Sequence, residues 1–214
     1  MNRPSTAFAR FAWPFRATST TLVAWAGICL HPEAALAHGS LAVGDFYSGM
    51  LHPLLHFETL LPTLALALWS GQLESPLSWR LPVAFLGAAL VGAVAGILEV
   101  DLYPGPALLR LSMLVLGLLV AARGRLPASL AMAVVFLFGL FEGQIHTYDP
   151  ETRIERPLLF IAGVGSSIGL ILFHVATRVV RYRAFWAQIG VRVVGSWIAA
   201  TGLLVLALEW AGGR

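Results

Sequence analysis

Met50-Leu51-His52-Pro53-Leu54-Leu55-His56-Phe57-Glu58-Thr59-Leu60-Leu61-Pro62 sets two histidines and a carboxylate into an apolar run that continues to Trp69. The run approaches the ~20 residues a helix needs to cross a bilayer. Titratable side chains in such a stretch are costly and mark a functional site by default. One reading of this segment therefore gives both a fold class and a place to look for chemistry.

The rest of the chain agrees. Of its 214 residues, 58% are hydrophobic and 12% charged, about half the roughly 25% charged share of a soluble domain. Mean hydropathy is +0.79. The expected fold is all-α, a polytopic transmembrane helical bundle of one domain with the lipid bilayer as its surroundings. The formal charge of +3 rests on arginine, with no lysine present. It is small and scattered, which argues against nucleic acid as a partner. The single cysteine, Cys29, excludes an internal disulfide framework and any CxxC motif.

Residues 1–37 read as a signal peptide. Arg3, Arg10 and Arg16 form a basic start, Thr20 to Leu30 an apolar core, and Ala35-Leu36-Ala37 a small-x-small cleavage site. Cleavage there makes His38 the mature N-terminus and leaves residues 38–214 as a six-helix domain. Six apolar runs follow, at about 46–70, 81–100, 104–122, 126–147, 157–180 and 189–210. Short connections make successive helices antiparallel neighbours. Arg80, Arg123, Arg125, Arg178, Arg181 and Arg183 fall on one side. Arg153 and Arg156 fall on the other, offset by Asp149, Glu151 and Glu155. The bias predicts a multi-pass protein of the bacterial inner membrane with a periplasmic mature N-terminus. Gly92 with Gly96, and Gly165 with Gly169, have the spacing that brings helix backbones close.

Placed by depth, the ionisable residues gather at one end. His38, Asp45, His52, His56, Glu58, Glu99, Asp101, Arg110, Glu142, His146 and Asp149 all belong there, and only His174 lies toward the other. His52 and His56 are four apart, as are Glu142 and His146, so each pair shares a helix face. Imidazole with carboxylate suits nickel, cobalt, zinc or iron(II), and the lack of soft ligands argues against copper(I). The candidate metal ligands are His38, His52, His56, Glu58, Glu142, His146 and Asp149. Pro53 suits a first helical turn, and Pro62 predicts a kink that frees the carbonyl of Glu58. On an ideal helix Glu58 points away from the histidines and Thr59 shares their face. His174 reads as a packed, hydrogen-bonded residue. Arg110 reads as a snorkelling arginine or as a counter-charge for Glu99 or Glu142, and Glu99 and Asp101 as interfacial or site residues beside Pro104-Gly105-Pro106.

This arrangement resembles the HupE/UreJ family of membrane proteins, associated with nickel and related metals, over essentially the whole chain. The family's first-helix pattern, H-P-x-x-G-x-D-H, is matched by His52-Pro53-Leu54-Leu55-His56-Phe57-Glu58-Thr59. Its fourth-helix pattern, H-G-x-A-H-G-x-E, is matched by Glu142-Gly143-Gln144-Ile145-His146-Thr147-Tyr148-Asp149. Leu111 to Leu118 is similar to its third helix, with Pro106 where that helix has a glutamate. Thr59 and Glu142 stand where histidines are usual, and His56 where a glycine is. The resemblance implies a carrier or periplasm-facing binder of nickel or cobalt, with zinc as the next candidate. The alternative is an accessory subunit that stabilises or metallates a partner membrane complex, and a homo-oligomer fits either. An enzyme is not expected: Ser166, Ser167 and His174 lack a Gly-x-Ser-Gly setting and a third group to orient the base.

Overall fold

The computed structural model describes residues 44–73, 76–100, 105–147, 154–182 and 184–212. The signal segment, His38, Asp101 and Asp149 lie outside the described residues. Among these residues every regular element is a helix: α1 Asp45–Leu55, α2 Phe57–Gln72, α3 Leu77–Ile97, α4 Gly105–Ala122, α5 Ala128–Thr147, α6 Pro157–Arg181 and α7 Phe185–Gly212. The helices α3, α5, α6 and α7 are each long and apolar enough to cross a membrane. The pair α1 and α2 passes the same standard only when taken together, and the apolar stretch of α4, Ala107–Ala122, is shorter.

The first apolar run departs from the expected continuous span. It breaks at His56, where α1 and α2 meet at 77°. His56 is extended, with φ −102° and ψ 107°. Its backbone N–H donates to the His52 carbonyl at 3.3 Å, closing α1, while its own carbonyl accepts from the Leu60 N–H at 2.9 Å, opening α2. The bend thus falls six residues before Pro62, which lies inside α2. Pro53 likewise sits in the last turns of α1 rather than in a first turn. Both backbone groups of His56 thus keep hydrogen-bond partners through the sharp turn.

Helix α2 is the axis of the bundle. Thr59, Pro62, Thr63 and every residue from Ala65 to Gln72 are buried, as expected of a helix that is apolar around its whole circumference. It packs against α6, α4 and α3, and α1 rests on α6. At its far end the Trp69 indole donates to the Gly124 carbonyl at 2.8 Å, and the Gln72 amide donates to Val120 at 3.1 Å. The Arg192 guanidinium donates to the Ala121 carbonyl at 2.8 Å. Three side chains from α2 and α7 therefore satisfy carbonyls that a helix end leaves open. Directions alternate along the chain. Arg110 at the start of α4 meets Glu209 at the end of α7, and Arg192 near the start of α7 meets the end of α4.

Several helix pairs pack main chain to main chain at glycines. A Cβ at Gly92 would meet the Leu140 carbonyl, and one at Gly143 the Ala89 carbonyl, which locks α3 to α5. A Cβ at Gly49 would meet the Phe160 carbonyl, which seats α1 on α6. Gly165 and Gly169 instead face the side chains of Leu90 and Leu86. The end of α3 closes with bonds from Glu99 N–H to Gly96 and from Val100 N–H to Ala95, at 3.1 and 3.0 Å. That pattern needs a left-handed residue, usually glycine, and Glu99 occupies it at φ 55°. Glu99→Gly is expected to stabilise the chain by about 1 kcal/mol. A higher midpoint of thermal unfolding in detergent checks this.

Candidate metal-binding site

The break at His56 turns α1 across the end of the bundle and carries His52 onto α5. There the Nδ1 atoms of His52 and His146 lie 2.9 Å apart. Their rings meet edge to face with centroids 5.0 Å apart, and the His56 ring lies 4.3 Å from that of His52. Phe160 of α6 walls the site, its ring 5.8 Å from His52. Two imidazole nitrogens at this distance are in hydrogen-bond reach, one ring donating and the other accepting.

One turn deeper on α5 stands Glu142. Its Oε1 accepts a hydrogen bond from the Thr63 hydroxyl of α2. Glu142, His146 and Thr63 are all fully enclosed, each at 0% exposure. Among the described residues the second oxygen, Oε2, has no hydrogen-bond partner, and neither does Nε2 of His146. Buried carboxylates without compensation are expensive, and an unsatisfied buried polar atom in a native fold calls for a specific explanation.

The other candidates divide. His56 is exposed at the bend and stacks beside His52 rather than converging with it. Glu58 is drawn away, with Oε1 3.7 Å from the Arg110 Nε. Thr59 is buried in its stead and donates to the His56 carbonyl at 3.0 Å, as the helical face suggested. Arg110 pairs with Glu58 and, at 2.6 Å, with Glu209, not with Glu99 or Glu142. His174 donates from Nδ1 to the Leu170 carbonyl at 3.0 Å, far from this cluster in sequence and depth. Among the described residues no group of three or more His, Cys, Asp and Glu is placed to hold a metal ion. The site is a histidine pair above a buried carboxylate, with His38 and Asp149 outside the described residues.

Sequence reasoning missed Thr63, Glu209 and Phe160. Thr63 was within reach, because it follows Thr59 by one helical turn and shares its face. Glu209 carried no signal, since it is distant in sequence and sits near the end of the last helix.

Comparisons with known proteins bear on the family. The chain is 28% identical over 189 residues to Protein HupE of Rhizobium leguminosarum bv. viciae, covering 88% of this chain and 96% of that protein. No solved structure matches it at a significant level. The sequence profile described as HupE / UreJ protein matches residues 26–205, which hold every helix but the last turns of α7, and the chain therefore belongs to the HupE/UreJ family.

Proposed function

We propose that this protein binds a divalent transition metal, nickel or cobalt before zinc, and carries it into or across the membrane as cargo. The observation that supports this most directly is the His52–His146 pair, with Nδ1 atoms 2.9 Å apart above the enclosed Glu142. Two imidazoles and a carboxylate form a borderline-to-hard donor set of the kind these ions prefer. In this reading the His end of the bundle faces the periplasm of a bacterial inner membrane, after cleavage of the signal peptide behind Ala37. His38 and Asp149, outside the described residues, stay in the reading as candidate ligands from the sequence alone. His56, exposed at the bend, is a first point of capture. No enzymatic turnover is part of the reading.

The accessory alternative draws on a different observation. Below Glu142, α2 is packed with Ala65, Leu66, Ala67 and Trp69, each at 0% exposure. A chain that only holds the metal, or hands it to a partner membrane protein, needs no path through that packing. A carrier needs the packing to open.

Metal content decides the first question and flux the second. Purified protein is expected to hold about one nickel or cobalt ion per chain after loading and dialysis, falling to background in the His52→Ala, His146→Ala double variant. A wild type that stays metal-free with each ion would sink the reading. Uptake of the bound ion into proteoliposomes would choose the carrier, and binding without uptake the accessory subunit.

A further inference from the structure

Arg110 is the only charged residue in α4, and it grips two other helices. Nη1 lies 2.6 Å from Glu209 Oε1 near the end of α7. Nε lies 3.7 Å from Glu58 Oε1 in the first turn of α2, two residues past the bend at His56. The Glu209 contact is a hydrogen-bonded ion pair, whereas the Glu58 contact is a longer, purely electrostatic one, with Nε beyond hydrogen-bond reach. Exposed ion pairs in water contribute little. The Glu58 contact matters here for where it sits rather than for its strength.

Its position gives it a role. The angle between α1 and α2 determines where His52 points, and Glu58 is the charged side chain nearest the bend on the α2 side. The other end of α1 is tied separately, by the Arg156 backbone N–H donating to the Asp45 carboxylate. With α1 fixed at its start by Asp45 and along its length by Gly49 against Phe160, the remaining freedom lies at the hinge. We infer that Arg110 is a positioning residue for the His52–His146 pair: by holding Glu58, it sets the bend at His56 and aims His52 at His146. Glu58 is then a structural counter-charge and not a ligand. The importance of that aim for metal rests on the reading above. The positioning itself does not.

The test separates the two. In the full chain with Cys29→Ser, thiols introduced by His52→Cys and His146→Cys are joined with a short bifunctional thiol reagent in detergent. Arg110→Gln and Glu58→Gln are each expected to slow crosslinking by about tenfold or more, while Glu209→Gln leaves it within about twofold. The charge-swapped pair Glu58→Arg, Arg110→Glu is expected to recover most of the rate. With both histidines in place, Arg110→Gln and Glu58→Gln are expected to weaken cobalt(II) binding by 10–100-fold, the range seen when groups that orient ligands are removed. They should also change the visible band of the bound ion, with thermal midpoints close to wild type. Crosslinking at the wild-type rate in either glutamine variant would overturn the inference. So would a Glu58→Gln variant that loses cobalt affinity with crosslinking intact, because Glu58 would then be a ligand. If wild type binds no cobalt, the crosslinking arm still decides the positioning role, and only the metal reading falls.

Discussion

Gly143→Leu is expected to leave no folded chain in detergent extracts of the membrane. A Cβ at 143 would strike the Ala89 carbonyl oxygen and carbon and come within 2.7 Å of its Cα. Extra core methylenes typically cost 1–3 kcal/mol because neighbouring side chains shift to admit them. Here the neighbour is main chain, which cannot move without parting α3 from α5. Total stabilities of roughly 5–15 kcal/mol leave little room for such a loss. Gly87→Leu is the control, since a Cβ there meets nothing within 4 Å. Size-exclusion profiles of the solubilised variants would show a monodisperse peak for position 87 and none for 143. A sharp peak for Gly143→Leu would mean that α3 and α5 do not pack backbone to backbone.

Glu142→Gln is expected to do the reverse, sparing the fold and removing the affinity. The amide keeps an oxygen for the Thr63 hydroxyl and nearly the same volume, so the buried contact survives. The negative charge does not. A unit charge pair 4 Å apart at an effective dielectric constant near 20 is worth about 4 kcal/mol, and a divalent ion doubles the attraction. After allowance for desolvation, a loss on the order of 100-fold in nickel or cobalt affinity is a conservative expectation. Equilibrium dialysis would read it directly. Thr63→Val should weaken binding less, since it removes only the carboxylate's positioning contact. Unchanged affinity in Glu142→Gln would remove this residue from the ligand set and leave the metal to the histidines alone.

The all-helical class and the gathering of ionisable residues at one end were legible because both are properties of composition and period. Apolar runs of membrane length announce helices wherever they pack. The i, i+4 spacing of Glu142 and His146 is a local fact that tertiary structure did not alter. The break at His56 was less legible. Pro62 is the obvious breaker, yet α2 runs through it, and the chain turns at a residue whose carbonyl and N–H are both satisfied by neighbours. Nothing in the one-dimensional pattern favours His56 over Pro62, because the choice depends on where α6 receives α1 through Gly49. The partners of Arg110 were hidden for the same reason. Glu58 and Glu209 are distant in the chain and meet only when α2, α4 and α7 assemble. Candidate ligands could thus be named from sequence, whereas the loss of Glu58 to a counter-charge could not.

The 77° turn has an electrical consequence. With 16 residues, α2 is about 24 Å long at a rise of ~1.5 Å per residue, some 6 Å less than the ~30 Å hydrocarbon thickness of a bilayer. Because α1 runs across the bundle instead of extending α2, it does not make up the difference. A cation bound beneath it from the periplasmic side, as proposed above, would therefore sit roughly a fifth of the way into the membrane field. At about 2.3 kcal/mol per elementary charge per 100 mV, a divalent ion there would gain about 1 kcal/mol from an interior-negative potential before any helix moved. On that reading the cell's own voltage would help to fill the site.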